Sequence, residues 1–459
     1  MFEDIPVEVG LVHVGERIRK NDMYVELGGP DIKEKFELVR VRRPEQVNDG
    51  VITVIGPDIY QMEPQKKYPF GILIEIAGPE LEEDIEGVIE RRIHEYANYI
   101  EGFMHLNQRY DIWVRLSKKA YNKGFTTLSY VGKVLEQLLK NELPIIESIQ
   151  ITFFTDAEKI SALYPEAKTT YEVRDARARG LTDDDVNVFY GCALCQSFAP
   201  SHVCVITPQR YANCGAISWF DGRAAARIDP KGPIFPIEKG ECLDTVHGEY
   251  VGINESAKKR SFGAVNRVYL YSAFTYPHTS CGCFEGIAFY IPEAEGFGIV
   301  MRGYNDVTVN GLPFSTMADS TAGGRQVDGF HGISLEYMRS PRFLAADGGY
   351  ARIVWMPSDL KGQLSSFIPA ELFEKIATEK DVKTTSELVA FLREHLHPVT
   401  DRWQEENVTS DNSSAFPVFA GGDIPMTAGG FRIILKNARI YAERVIVQPI
   451  RPEKQKQGN

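Results

Sequence analysis

Hydrophobic residues in the first third of the chain fall into short runs separated by charged, periodic stretches. Segments 50–57 (GVITVIGP) and 68–77 (YPFGILIEIA) are rich in Val and Ile and predict strands. Residues 81–109 carry apolar positions at helical spacing among many charges, which predicts one long helix or two. A strand at 111–116 (DIWVRL), a helix at 130–141 and a strand at 146–155 (IESIQITFFT) follow. Strands alternating with helices of this length predict an α/β layer domain over residues 1–185. Its last part, 157–183, is polar and helix-like and runs into an acidic stretch at 182–185.

From residue 186 the pattern loosens into many glycines, aromatics and short apolar runs. Strands are expected at 267–274 and 351–356, a hairpin over 286–301 and helices over 369–396. We read 186–404 as a larger α+β domain whose loops carry the chemistry. Residues 405–430 are rich in Ser, Asn, Gly and Pro and read as a linker. The alternating stretch FRIILKNARIYAERVIVQPI then predicts a small β unit, so 405–459 forms a third segment. The fold class is therefore multidomain, α/β followed by α+β. A length of 459 residues suits two or three domains.

Composition narrows the function classes. A net charge of −12 argues against a general nucleic-acid binder. No run approaches the ~18 apolar residues of a membrane span, and the acidic start MFEDIPVEVG is unlike a secretory signal. The expected location is the cytoplasm, where thiols stay reduced and clustered cysteines bind metals more often than they pair.

Six of the seven cysteines form two clusters. The first is Cys192-x2-Cys195-x8-Cys204-x9-Cys214, and the second is Cys281-Gly282-Cys283. Four thiolates on one irregular stretch can hold a [4Fe–4S] cluster or a zinc ion. Structural zinc usually takes two C-x-x-C knuckles; one knuckle and two lone cysteines favour the cube. Two sulfurs of a Cys-Gly-Cys and the two backbone nitrogens between them can surround one metal in a plane. Square-planar geometry selects Ni(II) or Cu(II) over zinc, and the central glycine lets the backbone approach closely. Alone, Cys281 and Cys283 are equally a redox dithiol; with the first cluster they point to a mixed nickel–iron–sulfur centre. Cys242 is left over and reads as a small buried hydrophobe.

The segments FYGCALCQSFAPSHVC, NCGAISWFDGRAAARIDPKGP and PHTSCGCFEGIAFYIPE resemble the signature segments of the acetyl-CoA synthase family. The closest resemblance is to its archaeal-type decarbonylase/synthase beta subunits. It extends from residue 15 onward, is strongest over 189–292, and includes GGRQVDGFHG and FLAADGGYARIVWMPSDL. It implies reversible assembly of acetyl-CoA from a corrinoid-protein-bound methyl group, CO and coenzyme A. The implied cofactors are a [4Fe–4S] cluster and two nickel ions, proximal and distal. Cys192, Cys195, Cys204 and Cys214 would hold the cube, and Cys195 would bridge it to the proximal nickel. Cys281 and Cys283 would bridge the two nickel ions, with the amides of Gly282 and Cys283 completing the distal site.

By the same resemblance Phe198 would line the proximal-metal pocket, while ordinary core packing would explain it equally. His202 and His278 flank the cysteines but read as structural, hydrogen-bonded histidines. Glu285 is either a support for the site or a plain surface carboxylate. Trp113 with Arg115 is one candidate coenzyme A contact, and Arg40, Arg42 and Arg43 another. The implied partners are carbon monoxide dehydrogenase subunits and a corrinoid iron–sulfur protein. Bacterial members carry an extra N-terminal domain that docks the dehydrogenase; here the C-terminal β unit is the expected docking element, or else a cap. The rival readings are an iron–sulfur electron-transfer or scaffold subunit, which leaves Cys281-Gly282-Cys283 unexplained, and a zinc-stabilised binding module.

Overall fold

The computed structural model describes residues 2–10, 18–107 and 112–405. In chain order the strands of the first part are β1 (Met23–Gly28), β2 (Lys35–Val41), β3 (Ile52–Ile55), β4 (Lys67–Tyr68) and β5 (Phe70–Ala77). Helix α1 (Glu86–Ala97) leads to β6 (Phe103–Leu106) and β7 (Trp113–Ser117). Then come α2 (Lys118–Asn122), α3 (Ser129–Glu142), β8 (Ser148–Phe154) and the long α4 (Ala157–Arg179). They build two mixed four-stranded sheets, ordered β4-β1-β7-β6 and β2-β5-β8-β3.

The expectation of helix throughout 81–109 is corrected by the structure. Asn98 ends α1: its side-chain amide donates to the carbonyls of His94 and His105, both at 2.7 Å, and its oxygen accepts the His105 N–H. Gly102, at φ 73°, turns the chain into β6. A side chain that takes one of the helix's last carbonyls and the next strand's backbone together favours helix–turn–strand over continued helix.

The second part begins with a three-stranded antiparallel sheet ordered β10-β9-β11, from β9 (Val188–Cys192), β10 (Cys204–Ile206) and β11 (Ile234–Glu238). Helix α5 (Trp219–Ile228) lies between β10 and β11 in sequence. A ribbon of β12 (Cys242–Asp244) and β13 (Glu249–Tyr250) leads into α6 (Val251–Arg260). The predicted hairpin is present as β14 (Gly286–Ile291) and β15 (Gly296–Met301). It is extended by β16 (Phe330–Ile333) and β17 (Ile353–Trp355) into the order β16-β14-β15-β17. The strand expected at 267–274 does not form. Asp347 accepts from the Ala273 N–H at 2.6 Å and the Ser272 hydroxyl at 2.7 Å, so side-chain acceptors replace a ladder there. The helices expected over 369–396 are two, Ala370–Phe373 and Thr385–Glu394.

All described residues fall in one compact unit. Its largest hydrophobic cluster runs from Ile5 to Ile234, across the border expected at 185, and includes Cys192, Cys204 and Cys214. The linker and β unit expected within 405–459 lie outside the described residues, except for Glu405 at the end of the last helix.

Candidate metal centre

Strand pairing sets the first cluster. Antiparallel register places Cys204 directly opposite Cys192, side chains on one face. Beyond Cys192 the chain enters a 3-10 turn (Leu194–Ser197), where the Cys195 carbonyl accepts the N–H groups of Phe198 at 3.0 Å and Ala199 at 2.9 Å. Cys214 precedes Gly215, whose φ of 72° closes a turn onto Ala212. Glu285 packs against that glycine so closely that a β-carbon at 215 would sit 2.2 Å from its carboxyl carbon.

The Cys281-Gly282-Cys283 loop leads into β14. Gly282 adopts φ 122°, and the Cys283 N–H donates to Cys281 Sγ at 3.2 Å, which sets that amide against the sulfur. Arg302, just past β15, clamps this loop by donating from Nη2 to the carbonyls of Gly282 (2.6 Å) and Phe284 (3.2 Å). Fully buried Arg210 donates to the Val205 carbonyl and to Asn213 Oδ1, both at 3.0 Å. Asn213 in turn donates to Thr279 O at 3.2 Å, tying the two cysteine segments together. As a result the sulfurs of Cys195, Cys281 and Cys283 lie within 4.8 Å of one another. Cys195 is the member of the first cluster that meets the Cys-Gly-Cys.

Sequence reasoning missed a second layer, supplied by α1. Arg91 donates from Nη2 to Cys195 Sγ at 3.1 Å, and one turn on His94 Nε2 lies 3.8 Å from Cys283 Sγ. Behind His94, its Nδ1 meets His105 Nδ1 at 3.4 Å, and His105 Nε2 bonds the buried Glu37 carboxylate. The charges of EGVIERRIHEYA suggest a solvated face, yet Glu86, Glu90, Arg91, Arg92 and His94 are all buried. A signal was available only as an arginine and a histidine three positions apart, which without the fold has no partner.

The electrostatics suit a cation. Burial pushes the thiols of Cys192 and Cys204 up, and that of Cys214 up to about 11. Thiols held protonated by burial become thiolates when a metal replaces their protons. Cys283 is the exception, held low by thiol hydrogen bonds from Cys195 and Cys281, with Arg91 and His94 adding to the effect. Arg91 Nη1 and His202 Nε2 are buried with no hydrogen-bond partner among the described residues. A soft donor set with orphaned polar atoms beside it fits a metal cluster.

The other sequence-predicted residues divide. The Phe198 ring lies 5.9 Å from that of His94, beside the cysteines. Both ring nitrogens of His278 are used, one accepting from Val205 N–H at 2.9 Å and one donating to Thr279 O at 2.7 Å. His202 bonds the Thr279 hydroxyl through Nδ1. Glu285 is buried and accepts the Leu335 N–H at 2.7 Å, which excludes the surface-carboxylate alternative. Arg115 stacks on Trp113 at 4.3 Å and pairs with Glu26 at 2.8 Å. Register puts this pair on the face of its sheet opposite His105. Arg40 pairs with Glu166 and Arg42 with Glu75, so those charges are already engaged. Cys242 is half-buried against its neighbouring cluster rather than fully buried.

Comparison with known proteins matches residues 5–160 to the family described as CO dehydrogenase/acetyl-CoA synthase complex beta subunit. Residues 171–403 match the family described as the C-terminal part of the ACS/CODH beta subunit. The acetyl-CoA decarbonylase/synthase complex subunit beta of Methanothermobacter thermautotrophicus is 52% identical, covering 98% of this chain and 100% of that protein. The chain belongs to the acetyl-CoA decarbonylase/synthase beta-subunit family. The protein of the same name from Methanopyrus kandleri is also 52% identical, with 97% of each chain covered. A solved C-terminal domain of an acetyl-CoA synthase alpha subunit is 40% identical over 26% of this chain and 95% of its own, with a TM-score of 0.24. Within this family assignment, the cysteines all lie in the second matched segment, whereas Arg91 and His94 come from the first. No helix among the described residues is long and apolar enough to cross a membrane.

Proposed function

We propose that this chain is the acetyl-CoA synthase of a carbon monoxide dehydrogenase complex, an acyl-transfer enzyme joining a methyl group, CO and coenzyme A reversibly. The observation that carries the reading is the convergence of Cys195 from one cluster with Cys281 and Cys283 from the other. Cys192, Cys195, Cys204 and Cys214 would hold a [4Fe–4S] cluster. Cys281 and Cys283, with the amide nitrogens of Gly282 and Cys283, would hold nickel, and Cys195 would join the two. When bound, that group supplies the electron-rich metal on which carbon–carbon and carbon–sulfur bonds are made.

The chain's own residues prepare the place. The buried sheet β10-β9-β11 keeps the first cluster dry, which strengthens every charge interaction inside it. Gly282 allows the backbone conformation that sets the Cys283 amide against the Cys281 sulfur. Arg302 fixes that loop through its carbonyls. Phe198 and His94 wall the sulfurs with ring surface, limiting water and leaving room for small apolar ligands. The expected partners are the dehydrogenase subunits and a corrinoid iron–sulfur protein that supplies the methyl group.

The test is metal analysis of anaerobically purified, nickel-reconstituted protein together with acetyl-CoA/CO exchange. Nickel and iron both retained, with exchange lost in Cys283→Ala, supports the synthase. Iron without nickel and no exchange would instead make the chain an electron-transfer subunit.

A further inference from the structure

We propose that α1 tunes the metal centre electronically, through two N–H···S hydrogen bonds from positioning residues Arg91 and His94. The inference rests on the metal reading above, in which Arg91 has no part and His94 serves only as ring surface. Arg91 and His94 stand three positions apart, on one face of the helix, and reach the two sulfurs that belong to different clusters. A metal-bound thiolate has no proton to give, so at Cys283 the hydrogen must come from His94 Nε2. His94 Nδ1 must then be the nitrogen without hydrogen, turned toward His105 and Asn98. His105 Nδ1 faces it at 3.4 Å, while Asn98 Nδ2, also 3.4 Å away, gives its two hydrogens to the carbonyls of His94 and His105. The Asn98 amide orientation is fixed independently, because its nitrogen faces two carbonyls and its oxygen one N–H. Glu37 anchors His105 from behind, and Asn107 donates to the other Glu37 oxygen. The ring of His94 is thus oriented by a buried chain running from β2 through β6 to the sulfur.

Arg91 adds a full positive charge at the Cys195 thiolate, buried to 3% exposure. Its Nη2 makes the sulfur bond and its Nη1 has no other partner among the described residues, so the guanidinium is committed to the site. Hydrogen bonds to cluster sulfurs and nearby positive charge both stabilise the reduced, more negative form, and so raise the reduction potential. A structural role alone would leave that potential unmoved.

The experiment is a dithionite titration of the anaerobically reconstituted full chain, following bleaching of the iron–sulfur absorbance, with iron and nickel measured on each sample. In Arg91→Met the midpoint is expected to move to more negative potential at unchanged metal content. Arg91→Lys, which keeps the charge, should move less. His94→Leu should shift the midpoint in the same direction by a smaller amount, since its bond is longer and uncharged. His94→Gln, which keeps an N–H donor, should return toward the parent value. Should Arg91→Met fail to fold, Arg91→Lys and the His94 pair carry the same comparison. Midpoints equal to the parent in Arg91→Met, or in Arg91→Lys where Arg91→Met does not fold, and in His94→Leu, with metals retained, overturn the inference. Parent protein that takes up iron but no nickel would sink the synthase reading instead, and the iron-centre midpoint in Arg91→Met would still report on Arg91.

Discussion

Gly282 is the residue on which the nickel site depends most narrowly. Its φ of 122° lies where side-chain-bearing residues are strained, by about 1–3 kcal/mol. A β-carbon there would also sit 3.3 Å from the Ala322 β-carbon. In Gly282→Ala the loop is expected to relax, moving the Cys283 amide away from the Cys281 sulfur. Metal analysis should then show less nickel per iron, with iron itself retained. Iron lost in parallel with nickel would mean that the two clusters assemble as one. The glycine and its cysteines were legible in the sequence, because spacing of two fixes local geometry. The arginine and histidine beside them were not, because their partners Cys195 and Cys283 are 104 and 189 positions away.

At the scale of elements, the Cys-Gly-Cys loop is held by the far end of the hairpin it opens. Arg302 follows β15 and reaches back to two carbonyls flanking Cys283, while its guanidinium also lies over the rings of Phe284 and Phe314. Hydrogen bonds involving a charged group contribute about 1.5–3 kcal/mol. Arg302→Met keeps the apolar contact and removes the donors. It should lower the melting temperature and speed nickel release to a chelator, with Arg302→Lys between it and the parent. Equal release rates in all three proteins would show that the loop holds itself. Gly215→Ala tests the other turn. Both its φ of 72° and the contact with Glu285 oppose a β-carbon, so iron incorporation should fall as the Cys214 turn shifts.

Across the whole molecule, buried histidines make the metal-free fold acid-sensitive. Burial lowers His397 to about 4; its Nε2 donates to Ile353 O at 3.0 Å and its Nδ1 accepts the Val399 N–H. Burial, reinforced by Arg210, lowers His202 to about 3, and holds His278 and His331 well below the usual range. An unfolded histidine takes up its proton near pH ~6.5. The folded groups refuse it, so their stabilisation is complete above that pH and is lost as pH falls toward the folded values. Each such group steepens the loss by up to about 1.4 kcal/mol per pH unit. The melting temperature of the metal-free chain should therefore drop between about pH 6.5 and about pH 4, with a shallower slope in His397→Gln. An unchanged slope in that variant would remove His397 from the account.

The sequence by itself determined what depends on neighbours along the chain: the hairpin over 286–301, the α/β alternation, the two cysteine clusters and the family they mark. It misjudged 81–109 and 267–274, where Asn98 and Asp347 settle the backbone through side-chain bonds that local pattern does not encode. The resemblance named Cys195 as the thiol that joins the two clusters, and the packing brings its sulfur within 4.8 Å of those of Cys281 and Cys283. Only the tertiary structure buried the charges of α1 and set Trp113 and Arg115 on the face of their sheet opposite His105. Periodicity records which face of an element is apolar. Which distant polar group completes a buried charge is fixed only when the elements pack, because burial makes an unpaired charge too costly to leave alone.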